Sequence, residues 1–363
     1  MKTILSILVA SLLVLSAVPA VLAVNIGTSV GVDIDTEDFA PRVWMCDNRV
    51  VSDDNIEPWR VSDGGDKLYE RINNYAFEGE MVSWKVLVMD KNKIDQNIDV
   101  YATVGDSQGE GNDIEANCVR SNGGYEDFDS CNARIDEEFV DFNEDTMAFF
   151  DCTLTVETPE SMYGEYWVTV EAQDGEGLMG SMDENEFWFF NPVIALSIDG
   201  ELAFDEVRPG TSTYSDTILI GNDADAGSGV LLDMFISGTD FYDSESSGAR
   251  CPSTNQLSLE NFRYFATSGA YSSTNDPRSS ADMLNEGYVA IQYGNSFSNE
   301  GTDNLFYDSH EILQAGGTFV GTGYKANILA PGAEHALTFR LDLPEPCNGD
   351  FDTGSIYFWG EAI

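Results

Sequence analysis

Side chains suited to acid–base or nucleophilic chemistry are scarce in this chain. It holds two histidines, His310 and His335. Within residues 335–341 the histidine shares a two-residue phase with Leu337, Phe339 and Leu341, which predicts a core-facing strand position. His310 stands beside Glu311 in a short polar segment and is expected at the surface. Carboxylate pairs of the glycoside-hydrolase kind carry no weight, because 64 acidic residues bring such pairs together by chance. The Gly-rich stretch 316–321 lies among strand signals with no following helix, which removes a phosphate loop. The cysteines lack zinc-ligand spacing. No enzymatic activity is expected.

Hard cations want several oxygens on a bent loop, and the acidic loops can be read that way. Asn348, Asp350 and Asp352 place oxygens at alternate positions before a turn glycine. Asp174 and Glu176 face Asp183 across one inter-strand loop, and Asp223, Asp225, Asp240 and Asp243 form further clusters. The competing reading is a set of solvated turns, where Asp, Asn and Gly belong for backbone reasons. Calcium is the only cofactor these residues suggest. Trp44, Trp59, Trp84, Trp167, Trp188 and Trp359 could stack on a sugar ring. Trp84 and Trp167 sit in strand phase and are expected in the core, whereas Trp59, after Pro58 in a polar loop, is the candidate for exposure.

The elements holding these residues are strands. Runs of β-branched and aromatic residues at 81–89, 98–104, 152–157, 165–172, 217–221, 230–236, 287–293, 335–341 and 355–360 are broken by Gly, Asn, Asp and Pro. Helical periodicity is confined to 67–72 and 308–314. The fold class expected is all-β, two tandem Ig-like β-sandwich domains, 24–191 and 192–363, divided at Asn191-Pro192.

Residues 1–23 read as a cleaved secretory signal peptide: Lys2, an apolar run from Ile4, and small residues Val21 and Ala23 at the cleavage site. The mature chain is expected to be secreted to the cell surface with no membrane span. Six cysteines in an exported chain imply three disulfides. Cys251–Cys347 is the simplest pairing in the second half. Cys46, Cys118, Cys131 and Cys152 allow three pairings, of which Cys118–Cys131 with Cys46–Cys152 is preferred. The formal charge of −47, with 42% hydrophobic residues, describes packed cores under an acidic surface. Such a surface repels nucleic acid and anionic lipid and suits high salt or plentiful divalent cations.

The most regular alternation follows the cleavage site. Val24, Ile26, Thr28, Val30, Val32 and Ile34 face one side; Asn25, Gly27, Ser29, Gly31 and Asp33 face the other. The plain reading is the first strand of the first sandwich. The other is a donor strand that completes a neighbouring subunit's sheet.

The run Tyr163-Gly164-Glu165-Tyr166-Trp167-Val168-Thr169-Val170-Glu171-Ala172-Gln173-Asp174-Gly175 resembles the late hairpin strand of Ig-like and fibronectin-III-like domains on archaeal surface proteins. Arg208-Pro209-Gly210-Thr211, Gly221-Asn222-Asp223, Val230 to Met234 and the closing Glu361-Ala362 are similar to the sandwich modules of matrix-fibre and bundling-pilus subunits. The whole chain resembles a family of acidic surface proteins of small-genome archaea. That resemblance implies a structural role in a surface layer (S-layer) or extracellular filament, with other copies or other surface proteins as partners. Such subunits usually have one sandwich, whereas two are expected here. The alternative is an adhesin or carbohydrate-binding module with a glycan ligand. No Asn-x-Ser/Thr acceptor occurs, so N-glycosylation is not expected.

Overall fold

The structure is a computed structural model. It describes residues 31–53, 73–94, 97–107, 109, 114–121, 128, 130–131, 141–182, 186–279, 287–294, 310–314 and 326–363. The expected signal peptide, the 67–72 helix, Trp59 and Asp183 lie outside those residues. The chain divides into a short unit, Met1–Asp38, and a compact unit, Phe39–Ile363. The compact unit is all-β.

Its first nine strands are β1 (Arg42–Asp53), β2 (Tyr75–Ala76), β3 (Glu80–Met89), β4 (Asp99–Gly105), β5 (Ile114–Ser121), β6 (Met147–Thr155), β7 (Gly164–Gln173), β8 (Met179–Ser181) and β9 (Phe187–Phe190). They follow the order β1-β3-β6-β5-β4-β7-β9-β2, with β8 beside β7. The path folds into two leaves because β5 changes partners midway. Ile114 to Ala116 pair with β4, and Asn117 to Ser121 pair with β6. Period-two burial does the rest: Val82, Trp84, Val86 and Val88 of β3 meet Val168, Val170 and Ala172 of β7 in one core. Leu87 and Met89 point the other way, into a satellite core with Phe149 and Cys46. Fully burying an aliphatic side chain contributes roughly 1.5–3 kcal/mol.

The later strands are β10 (Leu196–Asp199), β11 (Ser212–Asn222), β12 (Leu232–Gly238), β13 (Phe241–Tyr242), β14 (Gln256–Leu257), β15 (Phe262–Ser268), β16 (Tyr271–Ser272), β17 (Val289–Ala290), β18 (His310–Glu311), β19 (Ile328–Leu329), β20 (Glu334–Asp342) and β21 (Ile356–Ala362). One sheet runs β10-β11-β20-β15-β16 with β17 beside β15. The facing sheet centres on β12, flanked by β21 on one side and by β18 and β19 on the other. Ile218, Ile220, Met234, Ile236, Tyr264, Leu337 and Phe339 fill the space between. Among the described residues, strands before Asn191 pair only with one another, and so do strands after it.

The junction is built from polar groups. Asn191 takes a left-handed φ of 49°. Its side chain donates to the carbonyls of Glu157 and Met162 and accepts from the Glu78 N–H. Asn222 performs the same service at the end of β11, donating to Val230 and Leu329 and accepting from Ala224. Tyr75 crosses the division: it is fully buried in the second core, and its hydroxyl donates to the Ile363 carbonyl.

Four expectations are corrected. Residues 310–311 form strand β18 where a helix over 308–314 was expected, because they complete the β12 sheet. The disulfides of the first half are Cys46–Cys131 and Cys118–Cys152, not Cys118–Cys131 and Cys46–Cys152. Cys118 and Cys152 are direct cross-strand partners, which decides the matter. Cys251–Cys347 forms as expected. Among the described residues the first strand is β1, and residues 31–41, which include the last four of the expected 24–34 strand, carry none. Residues 287–293 reduce to the two-residue strand β17 and one bridge from Tyr293 to Gly238.

Candidate functional site

Of the alternating N-terminal residues, Val24, Ile26, Thr28 and Val30 lie outside the described residues. Val32 and Ile34 are 76% and 77% exposed. Two β-branched side chains therefore stand in solvent in a segment that pairs with no strand of its own chain over its described length.

A second apolar surface lies on one flank of the second sandwich. Strand β10 is the outer strand of its sheet. Leu196 pairs with the buried Asn222, and Ile198 pairs with the buried Ile220, so both point to the inner face. Yet Ile194, Leu196 and Ile198 are 44%, 37% and 58% exposed. The facing sheet stops short beneath them. Its nearest strand is β21, whose Gly360 lies under Leu196: a Cβ placed on Gly360 would stand 3.1 Å from Leu196 Cδ2. Phe358 and Ala362 sit half-buried at the margin of the core.

The acidic loops turn inward on their own backbones. Asp174 accepts from the N–H groups of Glu176 and Leu178. Asp243 accepts from Glu245, Ser246 and Asp350. Asp352 binds the Ser244 hydroxyl, which holds its carboxyl below the usual range. Asp225 takes both the Tyr163 hydroxyl and the Val193 N–H, and this bond raises the Tyr163 pKa. Among the described residues no group of three His, Cys, Asp or Glu could hold a metal ion. The Asp350 N–H donates to Asp243 and Asp352 takes the Ser244 hydroxyl, while Asp174 and Glu176 form a turn.

Neither histidine is poised for catalysis. His335 is fully buried, donates from Nε2 to the Asn327 carbonyl, and leaves Nδ1 without a partner. His310 is half-buried rather than exposed, since Arg278 reaches across to its Nδ1 while Nε2 donates to the Ala290 carbonyl. Burial and then the Arg278 charge lower its pKa. Arg278 also pairs with the enclosed Asp276. Burial pushes the Asp276 carboxyl up, but the bonds from Arg278 and the Gln314 N–H outweigh it and hold it low. The result is a clip between loops. The pattern Gly-x-Ser-x-Gly of a nucleophile elbow, expected to be absent, occurs at 27–31 and 105–109. The second copy follows β4 and leads to its antiparallel partner β5, unlike a strand-to-helix nucleophile elbow. Trp84 and Trp188 are buried; Trp44, Trp167 and Trp359 are half-buried.

Burial lowers the His335 pKa to about 4. The unfolded chain takes up that proton near pH 6.5, the folded chain only near 4, so this residue costs stability as pH falls through that window. His335→Gln is expected to remove about 2.5 kcal/mol of the stability change between pH 7 and pH 4.5. Urea titrations of both proteins at the two pH values measure it, and equal pH dependence would refute it.

No family model matches the chain, and no curated protein matches it. Among solved structures it is similar to the C-terminal domain of the AgI/II polypeptide BspA of Streptococcus agalactiae. The identity is 9% and the TM-score 0.29, over 89% of this chain and 97% of that one. A further structure, BspA_C_WT, gives 11% identity and a TM-score of 0.26, over 87% and 96%. Likeness at that level is remote. Among the described residues no helix is long and apolar enough to cross a membrane.

Proposed function

We propose that this chain is a non-enzymatic extracellular structural protein, a subunit that joins copies of itself into a cell-surface layer or filament through its N-terminal segment. The observation that carries the reading is the exposure of Val32 and Ile34 in a segment of strict apolar alternation that pairs with no strand over its described length. A segment of alternating apolar residues with no partner over its described length can pair with the sheet edge of another copy. Three disulfides with no free cysteine support an oxidising compartment. The charge of −47 keeps copies apart until cations screen it.

The chain from residue 24 is expected to form ordered polymers or sheets as salt rises, read by light scattering and electron microscopy. Deleting 24–34 should leave a monomer that melts at the same temperature, since no described strand includes those residues. A chain that stays monomeric at all salt concentrations, or assembles without 24–34, would end this reading. Calcium is expected to act as a counterion, matched by sodium at equal ionic strength, because the described acidic loops already bind their own N–H groups. A response to micromolar calcium would instead point to a dedicated site, and Asp183 would be the first residue to replace.

A second reading, an adhesin or glycan-binding module, is favoured by one cavity of about 560 Å³. Phe204, Phe241, Phe262 and Phe351 line it, with Asp205 and Asp350 beside them. Apolar rings with a few polar groups are the usual make-up of a small-ligand site.

A further inference from the structure

We infer that the cavity lined by residues 202–209 and 347–351 binds a small organic cation: an ammonium head on an apolar stem, free or carried as the lysine side chain of a partner. This rests on the second reading above, a ligand-binding module, and names its ligand class; it is independent of assembly. The walls are fixed by the chain itself. Residues 202–209 join β10 to β11, and the Gly210 N–H that follows them donates to the Leu343 carbonyl at 2.9 Å. The 347–351 segment is held by the Cys251–Cys347 bridge and by the backbones of Arg250 and Asn348, which exchange both hydrogen bonds. Phe262 is the buried ring of the lining, with Phe204 edge-on to it at 5.9 Å and Phe241 tilted at 4.7 Å. A cavity built before its ligand arrives loses little to ordering.

The chemistry of the lining is one-sided. Four phenylalanine rings stand with three carboxylates, Asp205, Glu206 and Asp350. The Asn348 amide is the single side-chain hydrogen-bond donor, since no Arg, Lys, His, Ser, Thr, Tyr or Trp lines the space. Ionised carboxylates only accept, whereas an ammonium only donates. A sugar brings an acceptor oxygen with every hydroxyl and would meet one amide. A metal ion takes oxygen ligands and gains nothing from phenyl rings. An alkylammonium uses both halves of the lining: its stem lies on the apolar walls and its head faces the rings and the carboxylates.

The carboxylates are also available. Asp174, Asp225, Asp243 and Asp352 are engaged by N–H and hydroxyl donors of their own loops. The Asp205, Glu206 and Asp350 carboxylates take no hydrogen bond or ion pair among the described residues. Three like charges around one cavity repel one another, and a bound cation relieves that repulsion. Glu206 further holds a left-handed φ of 48° with no side-chain bond to impose it. Strain of that kind gathers at ligand sites.

Four probes test the inference on the chain from residue 24 at physiological ionic strength: choline, its uncharged carbon isostere 3,3-dimethylbutanol, N-acetyl-lysine methylamide and methyl glucoside. Ligand-observed NMR should show saturable binding of a cation, about tenfold or more tighter than dimethylbutanol, with its protons shifted upfield by the rings. Tighter binding of choline assigns the head to a free amine; tighter binding of the lysine derivative assigns it to a peptide. The double replacement Asp205→Asn with Glu206→Gln should weaken binding about tenfold or more while the melting temperature stays within about 2 °C, because both side chains are exposed. It removes two charges from a total of −47, so a merely general attraction of cations would not register it. Glu206→Gly should weaken binding and leave the melting temperature equal or higher, since glycine accepts that φ. Equal affinity for choline and dimethylbutanol, or cation binding unchanged by the double replacement, would overturn the inference. Binding of methyl glucoside without either cation would overturn it and keep the second reading. If none of the four probes binds, both fall.

Discussion

Replacing Tyr75 with alanine is expected to destabilise the protein by about 3–5 kcal/mol and to split a single unfolding transition into two. Tyr75 belongs by sequence to the first sandwich, where β2 pairs with β9. By burial it belongs to the second, with no exposed surface, packed edge-on to Phe77 and bonded to the Ile363 carbonyl. Few other described side chains span that division: Asn73 donates to the Gly229 carbonyl, the Tyr163 hydroxyl donates to Asp225, and Phe77 and Phe189 pack on the second core from outside. Removing the ring leaves a cavity whose walls belong to two separate sheet systems, which cannot collapse together without moving one against the other. Urea unfolding followed by tryptophan fluorescence reports the first sandwich through the buried Trp84 and Trp188, and by Trp359 the second. Tyr75→Phe keeps the ring and loses one hydrogen bond, so it should cost about 1 kcal/mol and keep one transition. A Tyr75→Ala protein with the parent's midpoint and slope would show that the two sandwiches are coupled elsewhere.

The second large effect is expected from the double replacement Cys251→Ala with Cys347→Ala. The bridge closes a separation of 96 residues. Loop-closure entropy for a ring of that length is about 4–5 kcal/mol, against a stability of about 5–15 kcal/mol for a whole domain. The loss should fall on the second sandwich alone, so the transition reported by Trp84 and Trp188 should stay in place while the other moves to much lower urea. Replacing both cysteines matters, because a single change would leave a buried free thiol. If the double variant unfolds within 1 kcal/mol of the parent, chain entropy is not what this bridge contributes. Covering the alanine variant with reducing agent should change nothing further in that half.

The strands that were legible are those whose two faces differ. In β20, His335, Leu337 and Phe339 are buried and alternate with half-buried Ala336 and Thr338, and the apolar residues Val168, Val170 and Ala172 of β7 keep the same two-residue period. Strand β1 was hidden by its own irregularity: its register with β3 shifts between Met45 and Arg49, and Cys46-Asp47-Asn48 in the gap reads as a turn. Strand β5 was hidden for another reason. Ile114, Ala116 and Cys118 pack on the core and alternate with exposed Glu115, Asn117 and Val119, but no residue of the strand is fully buried, so its inward face is a weak signal. β15 could have been found, because Phe262, Tyr264 and Ala266 alternate cleanly. The open flank could not: residues 193–198 read as an ordinary strand, and only the facing sheet's short reach leaves them uncovered. The acidic loops misled because a carboxylate that caps its own turn and one that awaits a cation have the same spacing. Disulfide pairing depended on register, which cysteine spacing does not encode.

The two bridges of the first sandwich interlock. Along the chain the cysteines run 46, 118, 131, 152, and the first joins the third while the second joins the fourth. A chain delivered amino end first presents Cys46 and Cys118 before either true partner has emerged. An oxidant that joined thiols in order of arrival would close a ring between those two, and that ring must reopen before β5 can lie beside β6. Exchange proceeds by thiolate attack through a mixed disulfide, so it needs a thiol donor as well as an oxidant. The yield of correctly linked protein is thus governed by how quickly its surroundings can undo a bond as much as by how quickly they can make one.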